Sequence, residues 1–443
     1  MIKTFPGGVQ PACLKNETID KLIKNAPVPR EVIIPLLQHT GAPCEPMVSA
    51  GSRVRTGQVI ARSDKFISSP IHASISGTVK KIDRYPHPVI GSFNAVFIEG
   101  DGADTKETSI KKTDNVNLLS EDEIRDIVRE CGIVGLGGAA FPTHVKLALP
   151  EGKAIDSFIL NGSECEPYLT CDHRLMLENP AGIIEGMAMM LRLTGASRAY
   201  IAIESNKIGA AFALEKILRD KRYNTLNAKI VILKTKYPQG AERSLIKSIL
   251  NREVPPRGLP LDVGCVVSNV GTAFAVYEAV FNGKPLYERV VTVTGSCVAE
   301  PSNLRVRIGT PVKDLVDALG GLKKDVYKII FGGPMMGLAQ LSLDTPVIKG
   351  TSGILFLSKE DVAEYAETNC IRCGRCVDVC PLNMVPADIM RFVKKEQYER
   401  AIEYNVEDCI ECGCCSYECP SKIPLFQWIK LGKTEVLNLR SAK

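Results

Sequence analysis

The chain has 443 residues, 45% of them hydrophobic, which suits about three domains with buried cores of their own. Its 55 Lys and Arg against 50 Asp and Glu leave a net charge of +5 without long basic runs, too weak and too dispersed a field for a nucleic-acid partner. No window approaches the roughly 18 uninterrupted apolar residues of a membrane span and the first residues hold no apolar leader, so the expected location is the cytoplasm, where sixteen cysteines point to metal or catalysis more than to disulfides.

In chain order, the first element is a run of short β segments, EPMVSAGSRVRTGQVIARSDKFISSPIHASISGTVKKI, punctuated by Gly51, Gly57 and Gly77, which predicts a small all-β sandwich. It resembles the biotinyl/lipoyl type of barrel-sandwich. At the tip, where a carrier lysine would sit, this chain has Ile71-His72-Ala73-Ser74, so no carrier chemistry is expected and the module is read as a docking or lid domain. His39 and His72 have no partners at ligand spacing and are read as structural.

A helix then starts at the capping box Ser120-x-x-Glu123 and leads into GIVGLGGAAFPTHVKLAL. Gly135, Gly137 and Gly138 allow close approach of a ligand to the backbone, and Pro142 suits the first turn of a following helix, so the loop could offer free N–H groups and a dipole to a phosphate. A tight connection alone would look the same. The strand IDSFIL follows, and at its end lie Asn161, Glu164, Glu166 and Asp172. In open α/β sheets ligands bind beyond the carboxyl ends of strands. Helix and strand patterns then alternate through GIIEGMAMMLRL, AYIAIE, AAFALEKILRD, KIVILKT and GAERSLIKSIL, which predicts a layered α/β domain.

Next comes a strand, turn, strand and helix in ERVVTVTGSCVAEPSNLRVRIGTPVKDLVDALGG, and Gly332-Gly333-Pro334 reads as a turn, since no Lys-Ser/Thr follows it. The chain closes on two runs of one pattern, C-x2-C-x2-C-x3-C-P: Cys370, Cys373, Cys376, Cys380, and Cys409, Cys412, Cys415, Cys419. This is the spacing of a two-cluster ferredoxin, in which each run's fourth cysteine crosses to the other cluster. The assignment is Cys370, Cys373, Cys376 and Cys419 for one 4Fe-4S centre, and Cys409, Cys412, Cys415 and Cys380 for the other. Structural zinc or disulfides are the competing readings. Cys414 lies outside the repeat and is expected to be a passive thiol beside the cluster. The stretch between the runs has apolar residues at helical intervals and predicts a helical insert.

The central segments resemble the flavin- and NADH-binding domain of the 51 kDa subunit of respiratory complex I. The match runs through Gly135-Leu-Gly137-Gly138-Ala139-Ala140-Phe141-Pro142-Thr-His-Val-Lys146, Asn161-Gly-Ser163-Glu164-Cys-Glu166-Pro167, Gly240-Ala241-Glu242 and Ser268-Asn269-Val-Gly-Thr272. The resemblance implies that Gly135, Gly137, Lys146, Asn161, Glu164, Asn269 and Thr272 hold non-covalent FMN, that Phe141, Glu166 and Glu242 face NAD(H), and that Gly138 and Gly240 belong to the same cofactor-binding set. Ala140, Ser163, Ala241 and Ser268 depart from that pattern. The segment after the flavin domain resembles a β-grasp module of the SLBB type.

The expected layout is residues 1–110 with the barrel-sandwich, 111–283 as a Rossmann-type FMN and NAD(H) domain, 284–355 as the β-grasp, and 356–443 as a helical domain with two 4Fe-4S clusters. This order resembles the C subunits of Rnf-type ion-translocating electron transport complexes. The resemblance implies hydride exchange between NAD(H) and FMN, single-electron steps through the clusters, other subunits of a membrane complex as partners, an indirect link to ferredoxin, and a peripheral position on the cytoplasmic side of the cell membrane. No proton-transfer residue is singled out. A soluble diaphorase or cobalamin-reductase-like flavoprotein, or a relay without nucleotide binding, would share the same modules.

Overall fold

The computed structural model describes residues 2–108 and 115–441. Four modules follow one another, and each forms from its own hydrophobic pattern. In the barrel-sandwich, Glu31–Pro35, Gly91–Gly100, Gly77–His87 and Arg53–Val54 form one antiparallel sheet, and Glu45–Pro46, Val59–Arg62 and Ile71–His72 form a second. Val32, Ile34, Ile60, Ile71, Val79, Val96 and Ile98 fill the space between them. The tip is not free. Ile71, His72, Ala73 and Ser74 are all buried, with His72 Nε2 bonded to the Glu130 carbonyl at 2.9 Å. A carrier arm must reach solvent, so the burial explains why this tip carries none.

The α/β module is a four-stranded parallel sheet in the order Ala228–Leu233, Arg198–Glu204, Ser157–Asn161, Cys265–Asn269. Phe158 and Leu160 face a core shared with the helices Pro180–Thr194 and Val270–Asn282, whereas Ile159 faces Leu245, Ile246 and Ile249 of the helix Glu242–Leu250. Alternate residues of one strand therefore feed two layers, as a doubly wound sheet requires. The strand order reverses between Ser157–Asn161 and Cys265–Asn269, whose last residues Asn161 and Asn269 lie side by side. This is the topological switch point, where such sheets open a crevice.

The β-grasp has six strands in the order Lys24–Asn25, Ser302–Arg307, Glu288–Thr294, Gly353–Leu357, Lys328–Phe331, Leu338–Gln340, with the helix Val312–Ala318 in its core. Two features depart from the expected boundaries. The strand Gly353–Leu357 straddles residue 355, and the N-terminal segment leaves the sandwich to run across the other modules. Lys3 bridges to Leu233, Val9 to Tyr237, and Lys24–Asn25 pairs with Leu304 and Arg305. These short strands cover sheet edges that would otherwise lie open.

The C-terminal module is helical, as its spacing implies. Pro386–Val393 and Tyr398–Glu403 fill the insert between the cysteine runs, and the longer helix Leu425–Ser441 packs Ile429 and Val436 on Ile389, Phe392 and Val393. Among the described residues no helix is long and apolar enough to cross a membrane.

Candidate flavin and iron-sulfur sites

The four segments singled out in the central domain meet at the switch point. Asn161 Nδ2 donates to the Gly240 carbonyl at 2.9 Å, and Asn269 Nδ2 donates to Asp172 Oδ2 at 2.6 Å. The Leu136 N–H donates to Thr272 Oγ1 at 2.9 Å, and Lys146 forms an ion pair with Glu242. Every one of the four loops is thus bonded to another, although up to 136 residues separate them.

The glycine loop offers a fit for an anionic ligand. None of the N–H groups from Gly137 to Phe141 donates a hydrogen bond to another described residue. A Cβ at Gly137 would come within 3.1 Å of Asn269 Cβ, while Gly138 has φ +135° and open space above it. Backbone N–H groups left free around a glycine turn form an anion-binding concavity. Phe141 is half-buried with no ring or cation packed on it among the described residues, so a face remains for stacking. The helix expected after Pro142 is only the single turn Thr143–Lys146, too short to contribute a helix dipole.

Two of the acidic residues are engaged by backbone N–H groups. Glu166, expected to face NAD(H), is half-buried and accepts from the N–H groups of Met335 at 3.1 Å and Met336 at 2.9 Å, so it anchors the Gly332-Gly333-Pro334 turn of the β-grasp. Burial pushes its carboxyl up to about 7, against the pull of those two N–H groups. Glu164, expected to hold FMN, accepts from the N–H groups of Asp172 at 2.7 Å and His173 at 3.3 Å. A buried carboxylate takes whatever N–H groups are nearest, and here these belong to the start of the helix Cys171–Glu178.

Residues that the sequence does not mark as part of the site complete it. Lys15, on the N-terminal strap, is fully buried and donates to the carbonyls of Glu164 at 2.8 Å, Glu166 at 2.9 Å and Leu169. Its pKa is lowered by burial first and by Lys207 second. Arg289, from the first long β-grasp strand, donates to the carbonyls of Leu136 at 3.3 Å and Lys349. Asp172 stands at the end of the acidic segment, and burial together with neighbouring Glu164 pushes it up to about 7. Sequence adjacency marks Asp172 as one of that cluster; nothing local marks Lys15 or Arg289, which arrive from other modules.

The cysteines of the two runs lie in two neighbouring groups. Cys380, Cys409, Cys412, Cys414 and Cys415 line one cavity together with Pro381, Met384 and Phe426. Cys376 and Cys419 share an apolar cluster with Met390 and Ile423, against which Cys415 also packs, while Cys370 and Cys373 lie on an exposed loop. Among the described residues no group of three His, Cys, Asp or Glu side chains is arranged to hold a metal ion. Cys414 is buried at 1% exposure, its Sγ lies 3.9 Å from the Tyr237 carbonyl, and its thiol also shares a hydrogen bond with that of Cys412.

The inner cavity abuts the segments that meet at the switch point. The Gly240 N–H donates to Cys165 Sγ at 3.3 Å, and Cys165 packs with Tyr237, Cys412 and Cys414 in one apolar cluster. The Tyr237 hydroxyl donates to the Cys412 carbonyl at 2.8 Å. On the other side of the junction Asp408 accepts from the Arg257 N–H at 2.7 Å and from Arg243 at 3.2 Å.

Comparison with known proteins agrees with this geometry. Residues 3–103 match the RnfC barrel sandwich hybrid domain, 128–278 the Nuo51 FMN-binding domain, 290–339 the SLBB domain and 369–423 the 4Fe-4S dicluster domain. The chain is 48% identical over 401 residues to the C subunit of the proton-translocating ferredoxin:NAD(+) oxidoreductase complex of Clostridium ljungdahlii, covering 90% of this chain and 87% of that one. It is 43% identical over 437 residues to the Na(+)-translocating counterpart of Acetobacterium woodii, covering 99% and 98%. An NAD+-reducing [NiFe]-hydrogenase chain shares the fold at TM-score 0.51 and 18% identity, over 74% of this chain and 63% of that one. On the strength of the near full-length matches, the chain belongs to the family of C subunits of ion-translocating ferredoxin:NAD(+) oxidoreductase complexes.

Proposed function

We propose that this chain is the peripheral subunit that carries electrons between NAD(H) and the membrane subunits of such a complex, seated on the cytoplasmic side. Its cofactors are FMN and two 4Fe-4S clusters, in keeping with its matched domains. FMN, when bound, supplies the exchange between two-electron and one-electron chemistry, and the clusters carry single electrons. The protein's own part is placement. The loop amides from Gly137 to Phe141 and Lys146 bind the phosphate, the strand ends at Asn161 and Asn269 form the floor, and Phe141 offers the stacking face for the nucleotide.

The observation that carries this reading is the continuity of the floor with the inner cysteine cavity, from Asn161 to Gly240, Gly240 to Cys165, and Cys165 to Cys412. The salient test is Lys146→Ala, assayed for flavin, iron and sulfide after anaerobic purification. Flavin retention is expected to fall while iron is unchanged, because the two sites lie in separate modules. Unchanged flavin content would remove Lys146 from the site. The peripheral position predicts release from membranes by salt without detergent, and behaviour as an integral protein would contradict it.

A further inference from the structure

The barrel-sandwich lacks a carrier residue and buries its tip, so its presence calls for another purpose. It touches the flavin domain at the glycine loop. Thr40 Oγ1 donates to the Ala139 carbonyl at 2.7 Å, and the Thr40 N–H donates to the Ala140 carbonyl at 3.2 Å. The contact is braced on both sides. Lys349 Nζ joins the Pro70 carbonyl of the sandwich to the Gly132 carbonyl, each at 2.7 Å, and Phe66 of the sandwich meets His144 edge to face at 6.3 Å.

A trans peptide holds its C=O and N–H in opposite directions. Fixing the carbonyls of Ala139 and Ala140 toward Thr40 therefore turns the N–H groups of Ala140 and Phe141 away from the sandwich, to the side on which no protein acceptor meets them. Ala140 also has φ +49°, a left-handed conformation that an alanine holds only when its surroundings impose it. The two Thr40 bonds are such a constraint, applied at the residue where it is needed.

We infer that Thr40 is a positioning residue of the flavin site, and that the barrel-sandwich serves as the wall that holds the glycine loop in its phosphate-binding form. This rests on the proposed placement of FMN at that loop. Thr40 is exposed, so Thr40→Val can be made without disturbing a core, and it removes the hydroxyl while keeping the shape and the backbone N–H.

The full chain, reconstituted with its clusters and stripped of flavin, is titrated with FMN and followed by flavin fluorescence. The loss of one hydrogen bond is expected to raise the dissociation constant about fivefold in Thr40→Val. Thr40→Ser, which keeps the hydroxyl, should bind FMN as the natural chain does. Iron content and melting temperature should match in all three, which a general loss of structure would not allow. If Thr40→Val binds FMN like the natural chain while Lys146→Ala binds it more weakly, the clamp is wrong and the flavin placement stands. If both variants bind FMN normally, the placement of the flavin at this loop falls, and the role of Thr40 with it.

Discussion

The two cysteine loops share one spacing but not one environment. In the inner set Cys380 is 9% and Cys412 8% exposed, and the loop is held from outside its own module. Tyr237 bonds the Cys412 carbonyl, the Gly8 N–H of the N-terminal strap donates to the Val379 carbonyl at 2.8 Å, and Arg243 and Arg257 hold Asp408. In the outer set Cys370 and Cys373 are exposed, and residues 363 to 370 lie open to solvent. That loop is tied within its own module by Thr368 N–H to the Ser421 carbonyl at 3.0 Å and Ser421 Oγ to the Asn369 carbonyl at 2.9 Å, and to the β-grasp by the Tyr327 hydroxyl, which donates to Glu364. Cluster potentials depend on burial and on hydrogen bonds to sulfur. Both sets have such bonds: in the inner one from the Met384 N–H to Cys380 Sγ and from the Glu411 N–H to Cys409 Sγ, each at 3.4 Å, and in the outer one from the Ala387 N–H to Cys376. The two cysteine sets therefore differ in exposure: Cys370 and Cys373 are open to solvent, whereas no cysteine of the inner set is.

The largest effect that would break this comparison is loss of a centre. Cys415→Ser should remove the inner cluster and leave about four irons per chain, whereas Cys414→Ser should keep about eight, the total for two 4Fe-4S centres. Cys419→Ser should disturb the outer centre and spare the inner one, because the fourth cysteine crosses over. If Cys414→Ser loses a cluster signal while Cys415→Ser keeps both, the loop takes another register.

A smaller effect should separate the two surroundings without destroying either. Tyr237→Phe keeps a ring that is 1% exposed and removes only the hydrogen bond to the Cys412 carbonyl. At about 1 kcal/mol per bond, the inner midpoint potential should move by up to about 40 mV, and the outer one should stay where it is. Redox titration followed by EPR reads both, and equal shifts would contradict the separation.

The smallest expected effect is a pH dependence confined to the inner centre. Glu166 holds Met335, and Met335 packs in the same apolar cluster as Cys412. Its folded pKa of about 7 lies above its ordinary 4.5, so the protonated form's stabilisation is complete below about pH 4.5 and is lost as pH rises through 7. The inner signal should therefore titrate near pH 7, Glu166→Gln should flatten it, and the outer signal should be unaffected.

Much of the architecture was open to reading from the chain alone, for physical reasons. The α/β alternation works because a strand buried on both faces reads as a continuous apolar run, as in Phe158-Ile159-Leu160, and the amphipathic helices follow at regular intervals. The cluster ligands are legible because thiolates on one loop must be spaced to converge. The order of the four flavin segments is likewise a property of the sequence, although their contacts with one another are not.

What the sequence determined by itself, then, was each module's type and the residues whose chemistry is local: the glycine turn, the cysteine runs, the capping box at Ser120 and Glu123, observed intact. What only the tertiary structure decided was direction and partnership. Glu166 is assigned to the nucleotide by the resemblance of its segment, but that its carboxylate accepts from Met335 and Met336, 169 and 170 residues away, is visible only in the fold. Lys15, Thr40 and Arg289 reach the site from three other segments, and each acts through a backbone carbonyl, a group that every residue carries. A bond to a carbonyl leaves no mark on the side chain of the residue that accepts it, so contacts of that kind become visible only once the chain has folded.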